Sequence, residues 1–85
     1  MEQIEWVPGQ VSKGTNIDLP TGAVPIRTVV KAIIFDTSAN NMLDKTSDVT
    51  VVDKDTIKFT ATTLANGDAI ILTYLPVGAY GKSEP

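Results

Sequence analysis

One strand of this chain is apolar on both faces, within the segment TLANGDAIILTYLP at residues 63–76. Alternate side chains of an extended strand point to opposite sides. One face therefore holds three large residues: Ile70, Leu72 and Tyr74. The other holds Ala69, Ile71, Thr73 and Leu75, of which only one is polar. An antiparallel strand commonly exposes one face to water. In this chain another segment or a partner must therefore bury the second face.

The composition excludes several classes of function. The chain has 85 residues, a net charge of −3, and neither Cys nor His. We expect one domain over residues 1–85, which buries only about 60–65% of its unfolded surface. Without Cys, disulfide scaffolds are excluded and a reducing compartment is indicated. The lack of a basic stripe argues against nucleic-acid binding. No segment is long enough for a membrane span and the start does not read as a signal peptide, so we expect a soluble protein.

Frequent Thr and Val, with Gly and Pro at short intervals, predict an all-β chain of short strands. We expect about six strands and no helix longer than two turns. The predicted segments are a strand at 4–7, an irregular segment at 10–19 anchored by Val11, Ile17 and Leu19, a long strand at 26–35, a hairpin of 49–52 with 57–61, and a strand at 68–75. Asn66-Gly67 is the strongest turn signal. Met42 and Leu43 form a short apolar step between two loops.

The long strand at 26–35 is also apolar on both faces. We predict that the first face of residues 68–75 packs inward with Val30, Ala32, Ile34, Val51 and Phe59. Val29, Ile33 and Phe35 then extend the second face. We expect the segment around Ile4 and Trp6 to cover part of that second face, and a partner to cover the rest. Six short strands of this kind favour a small two-layer β-sandwich with an immunoglobulin-like outline.

The stretch IIFDTSANNMLDKTSDVTVVDKDTIKFTATTLANGDAIILTY, residues 33–74, resembles a small β module. Such modules recur in structural proteins of tailed bacteriophages, including head-fibre, tail-fibre and other appendage proteins. The resemblance lies in the alternation and the turn placement, and it covers about half of the chain. It implies a non-enzymatic virion protein, assembled in the host cytoplasm, that decorates or cements a capsid or belongs to a head or tail appendage. Its partners would be other virion proteins and further copies of itself, with no cofactor.

Candidate chemistry in the sequence is sparse. Five loop aspartates could be tested as a calcium site: Asp36, Asp44, Asp48, Asp53 and Asp55. The calcium loop pattern of alternate oxygen ligands and a Gly is missing, and turn and capping roles explain all five. Without His or Cys there is no nucleophile–base pair, and we expect neither an enzyme nor a metal site. Ser12-Lys13-Gly14-Thr15 has the wrong order for a phosphate loop.

Aromatic and apolar surface residues are the remaining candidates. Trp6, Tyr74 and Tyr80 could stack on a sugar, but core or interface roles are the simpler reading. The candidate interface residues are Trp6, Val29, Ile33, Phe35, Ile71, Leu75 and Tyr80. We expect residues 78–85 to form a flexible or partner-held tail, in which Tyr80 could anchor a neighbouring subunit. The alternative function is a carbohydrate- or receptor-binding module that uses Trp6 or the loop at 36–41.

Overall fold

The computed structural model describes residues 1–77, and Tyr80 and the predicted tail at 78–85 lie outside the described residues. Seven strands account for most of this part of the chain, and a single 3₁₀ turn, Thr46–Asp48, joins two of them. The strands are β1 (Glu2–Trp6), β2 (Asn16–Asp18), β3 (Ile26–Asp36), β4 (Asn41–Asp44), β5 (Val49–Asp53), β6 (Thr56–Phe59) and β7 (Ala69–Pro76). The predicted all-β class is confirmed.

The strands form two antiparallel sheets. A four-stranded sheet has the order β1-β7-β3-β4, and a three-stranded sheet has the order β2-β6-β5. The two strands that are apolar on both faces, β3 and β7, are the central pair of the larger sheet. The described part of the chain has one strand more than the predicted six, because the short apolar segment at Met42 and Leu43 forms an edge strand, β4, which pairs with the end of β3.

The core lies between the sheets. Its largest fully buried side chains are Tyr74, Phe59, Ile57, Leu64, Ile70 and Leu72. The larger sheet contributes Ile70, Leu72 and Tyr74 with Ala32 and Ile34, as the sequence predicted. The predicted anchors Val11, Ile17 and Leu19 also join this core. One shared core makes the two sheets a β-sandwich.

The predicted hairpin forms from β5 and β6, with Val49 opposite Phe59 and Val51 opposite Ile57. Such cross-strand apolar pairs stabilise a hairpin. Ala61 was predicted to extend it but is exposed beyond the end of β6. The reason is that the Ala61 backbone N–H instead donates to the Asp48 carboxylate at 3.0 Å, which turns the chain out of the sheet.

A β-bulge in β3 overturns the predicted position of two valines. The pairing with β7 shifts between Val29 and Lys31, so Val30 has no partner of its own. A bulge inserts one extra residue and breaks the strict alternation. As a result Val30, predicted inward, is 44% exposed. Val29, predicted on the second face as an interface residue, packs against the core instead.

The N-terminal strand also differs from expectation. Ile4 pairs with Leu72 and Trp6 pairs with Ile70 across the β1–β7 ladder. Residues directly opposite in a ladder point to the same side of the sheet, and both Ile4 and Trp6 pack against the core. β1 therefore widens the sheet at its edge and does not cover the second face, because lateral hydrogen bonding to β7 fixes the direction of its side chains.

Candidate interaction surface

The side of the four-stranded sheet turned away from the core has a continuous apolar centre. We call this side the outer face. One row across the sheet runs from Glu5 through Ile71 and Ile33 to Asp44. A neighbouring row contains Ala69, Phe35 and Met42. Ile33, Phe35 and Ile71 are half-buried between their neighbours in the sheet, and Met42 is 62% exposed.

Polar side chains surround this centre. Glu5 and Gln3 lie on β1 at one edge, and Asp44 lies on β4 at the other. Lys31 occupies a third row with Thr73 and Gln3, and its Nζ lies 4.0 Å from a carboxylate oxygen of Asp44. Both charged side chains are more than half exposed, so this ion pair adds little stability. The outer face therefore combines an apolar centre with a rim that carries both signs of charge.

The outward side of the three-stranded sheet is different. Its central row consists of Asn16, Lys58 and Thr50, all polar. The apolar partners of the same strands, Ile17, Ile57 and Val51, form the next row and point into the core. This sheet follows the usual pattern of one dry and one wet side. The apolar outer face is thus a property of the larger sheet alone.

The structure brings together part of the predicted interface. Ile33, Phe35 and Ile71 lie on the outer face, and Leu75, half-buried opposite Thr28, lies on the same strand as Ile71. Trp6 and Val29 are directed towards the core. The sequence reasoning missed Met42, although the alternation of Met42 with Asp44 around Leu43 could have indicated a strand with one side on this face.

A cleft of about 500 Å³ opens along one edge of the sandwich, between the edge strands β1 and β2. Its walls are Trp6, Pro8, Gln10, Val11, Ser12, Thr15, Asn16, Ile17 and Asp18. Trp6 closes one end of the core and also lines this opening. Tyr74 is fully buried, with its hydroxyl donating to the Val24 carbonyl, so it cannot stack on a ligand.

The loop aspartates have the predicted turn and capping roles. Asp36 Oδ1 accepts hydrogen bonds from the Ser38 backbone N–H and hydroxyl and from the Ala39 N–H, and it closes the β3–β4 turn. Asp44 Oδ1 accepts two from Thr46. These donors hold the pKa of each carboxyl below its ordinary value, with the hydroxyl donor as the largest cause. Asp53 and Asp55 accept from their immediate neighbours.

Asp48 makes the longest-range of these contacts. Its carboxylate accepts hydrogen bonds from the Thr62 hydroxyl at 2.7 Å and from the Ala61 N–H at 3.0 Å. The Thr62 hydroxyl is the main reason that the pKa of Asp48 is lowered. Within residues 1–77 no group of three or more acidic, His or Cys side chains could hold a metal ion. These carboxylates organise loops.

Comparisons of the chain with family models, with curated proteins and with solved structures give no match. No helix in the described part of the chain is long and apolar enough to cross a membrane.

Proposed function

We propose that this protein is a non-enzymatic structural subunit of a phage virion, and that it acts through contacts made by the outer face. The observation that supports this is the apolar centre of that face. A small sandwich that works as a monomer needs only one apolar side per sheet, because the other side of each sheet faces water. The resemblance of residues 33–74 to phage virion modules supplies the biological setting. A capsid-decorating or cementing subunit, or a small component of a head or tail appendage, fits this size.

The occupant that we propose for the outer face is a second copy of this chain. A two-fold contact places the same surface on both sides and must be self-complementary. The outer face meets this condition, because Lys31 on β3 is accompanied by Glu5 and Asp44 on the two edge strands. A rim of mixed sign can pair with its own copy, whereas a rim of one sign would repel it.

The strength of such a contact can be estimated. Fully burying an Ile or Phe side chain contributes about 1.5–3 kcal/mol. Ile33, Phe35 and Ile71 are already half-buried, so covering them adds about 1 kcal/mol each, and covering Met42 adds about 1–2 kcal/mol. Because a two-fold contact covers these residues on both copies, the total is about 8–10 kcal/mol, which lies in the middle of the association cost of about 4–15 kcal/mol. Each pairwise contact is therefore weak, and stable assembly needs many copies held side by side.

The test is the substitution Ile71→Asp, followed by sedimentation velocity over a range from about 10 μM to about 1 mM. We expect the unmodified chain to self-associate only towards the upper end. Ile71→Asp should stay folded, because the side chain is partly exposed, and should stay monomeric at every concentration. Thr50→Asp is the matched control, since Thr50 is exposed in mid-strand on the polar side of the other sheet, and it should associate like the unmodified chain.

Three outcomes would contradict the proposal. If Ile71→Asp unfolds the domain, the outer face is core, because an unpaired buried charge is strongly unfavourable. If it folds and associates like the unmodified chain, or if the unmodified chain remains monomeric throughout, the outer face is not a contact between copies. The virion setting has a separate test. An antibody against the chain should detect it in purified phage particles, and detection only among soluble lysate proteins would refute that part.

A further inference from the structure

The cleft between β1 and β2 has the composition of a ligand site. Trp6 provides an aromatic wall, and Val11 and Ile17 add apolar surface. The remaining walls carry hydroxyl, amide and carboxylate groups from Gln10, Ser12, Thr15, Asn16 and Asp18. Ligand sites in proteins typically combine an apolar or aromatic wall with a few convergent polar groups in a volume of about 300–1,000 Å³. The volume of about 500 Å³ lies within that range.

Several polar groups around this cleft are not used by the fold. Within residues 1–77 the side chains of Gln10, Ser12 and Asn16 make no hydrogen bond to the protein. The indole N–H of Trp6 also has no partner there, and no buried side-chain polar atom in the described residues lacks one. The indole N–H must therefore be open to solvent. The cleft presents unpaired donors and acceptors beside an aromatic ring.

The charge of the cleft narrows the class of ligand. Asp18 is the only charged residue among its walls, and one of its oxygens lies 3.3 Å from the Thr56 hydroxyl, which it shares with the closer Asp55 carboxylate. Without a cation in the walls, phosphate and carboxylate ligands have nothing to neutralise them. Neutral ligands with many hydroxyl groups fit better, because hydroxyls pair with amide and carboxylate oxygens while apolar C–H surface lies against the indole.

We infer that this cleft binds a neutral saccharide, with Trp6 as the stacking platform and with Asn16, Ser12 and Asp18 as hydrogen-bond partners of sugar hydroxyls. The site lies at the open edge formed by β1 and β2, whereas the outer face is a surface of the β1-β7-β3-β4 sheet. Binding here does not depend on assembly through the outer face.

The experiment is a ¹H–¹⁵N correlation NMR titration of the full chain. The probes are neutral oligosaccharides built from glucose, galactose, mannose and N-acetylglucosamine, each added to about 10 mM, well above a dissociation constant of about 1 mM. Trp6 is the only Trp in the chain, so its indole N–H gives a single reporter signal. We expect at least one probe to shift this signal in a saturable way, together with the backbone signals of residues 8–18.

Variants locate the site. Asn16→Ala and Ser12→Ala remove exposed polar groups, and each should weaken binding about tenfold, the loss expected for one or two hydrogen bonds. Asn41→Ala is the matched control, because Asn41 is also an exposed Asn on an edge strand but belongs to β4. It should bind like the unmodified chain. The spectrum of each variant shows at the same time whether it is folded.

The inference is overturned if no probe shifts the indole signal, if the shifts map away from residues 6–18, or if both Asn16→Ala and Ser12→Ala bind with unchanged affinity. It is also overturned if the signals of the cleft move with protein concentration in the absence of sugar. That result would assign the cleft to a second copy of the chain.

Discussion

The hydrogen bond from the Tyr74 hydroxyl to the Val24 carbonyl ties the end of β7 to the segment before β3. Tyr74 is fully buried and is the largest of the fully buried side chains. Tyr74→Phe keeps the ring and its packing and removes only the hydroxyl. The variant therefore measures this one interaction with little change in the core.

The expected loss follows from the two partners. A hydrogen bond between neutral groups contributes about 0.5–1.5 kcal/mol net, and leaving a buried partner unpaired raises the cost to about 1–3 kcal/mol. Val24 is 39% exposed, so water can reach this segment and hydrate the freed carbonyl. We expect a loss of about 1 kcal/mol, which for a domain of this size lowers the melting temperature by about 4–8 °C.

Urea unfolding followed by Trp6 fluorescence measures this loss, because Trp6 packs against the same core and is the only Trp. The midpoint should fall while the slope m stays constant. An unchanged midpoint would refute the reasoning, since it would mean that the hydroxyl contributes nothing to the folded state. A loss well above 3 kcal/mol would also refute it, because it would show that the ring itself is displaced.

Alkaline pH gives a second, independent readout. Burial, with a smaller effect of the Glu2 charge, raises the pKa of Tyr74 above its ordinary value of 10.0. The neutral phenol is thus favoured in the folded chain. The associated stability is fully present below the unfolded pKa and is lost as pH rises through the raised folded pKa. The stability difference between the unmodified chain and Tyr74→Phe should therefore shrink in strongly alkaline solution. A difference that stays constant or grows there would contradict the assigned cause.

Two further predictions concern the loops and the core. Asp48 has a lowered pKa, so the stability that it contributes is present above its unfolded pKa of about 3.9 and is lost as pH falls through the lowered folded value. The acid unfolding curves of the unmodified chain and of Asp48→Asn should therefore converge at low pH. Curves that stay parallel would contradict this. Leu72 is fully buried opposite Ile4 and Ala32, so Leu72→Ala should lower the free energy of unfolding in urea by about 2–5 kcal/mol. A loss below about 1 kcal/mol would show that the site is less well packed than the structure indicates.

Most of the architecture could be read from the sequence because it depends on local signals. Strict alternation identified β7 and its inward residues, and Asp53-Lys54-Asp55-Thr56 marked the β5–β6 hairpin. The Asn66-Gly67 turn is also confirmed, with Gly67 at a φ of +95°. Glycine adopts this conformation readily because it has no Cβ. Each of these features is set by neighbours within a few residues, and each therefore leaves a pattern in the sequence.

The features that could not be predicted depend on pairing between distant segments. The sequence of β1 fits a position over the second face as well as one beside β7, and only its hydrogen-bonded register with residues 70–74 decides between the two. The Trp6 cleft depends on the path of the irregular segment at 8–15, which the bridge of Val11 with Leu64 helps to fix. Neither choice has a local residue pattern, since both partners are more than fifty positions apart in the chain.

The bulge in β3 was hidden for a different reason, and it provides the sharpest test of the assigned faces. Val29 and Val30 are adjacent and chemically identical, so the sequence fits either valine pointing inward. The structure packs Val29 against the core and leaves Val30 44% exposed. Val30→Lys should change stability by no more than about 0.5 kcal/mol, as is usual for exposed positions. Val29→Lys should cost several times more, because it places a charge against the core. If strict alternation held through this strand, the order of the two effects in urea unfolding would be reversed, and the second face of β3 would begin at Val29.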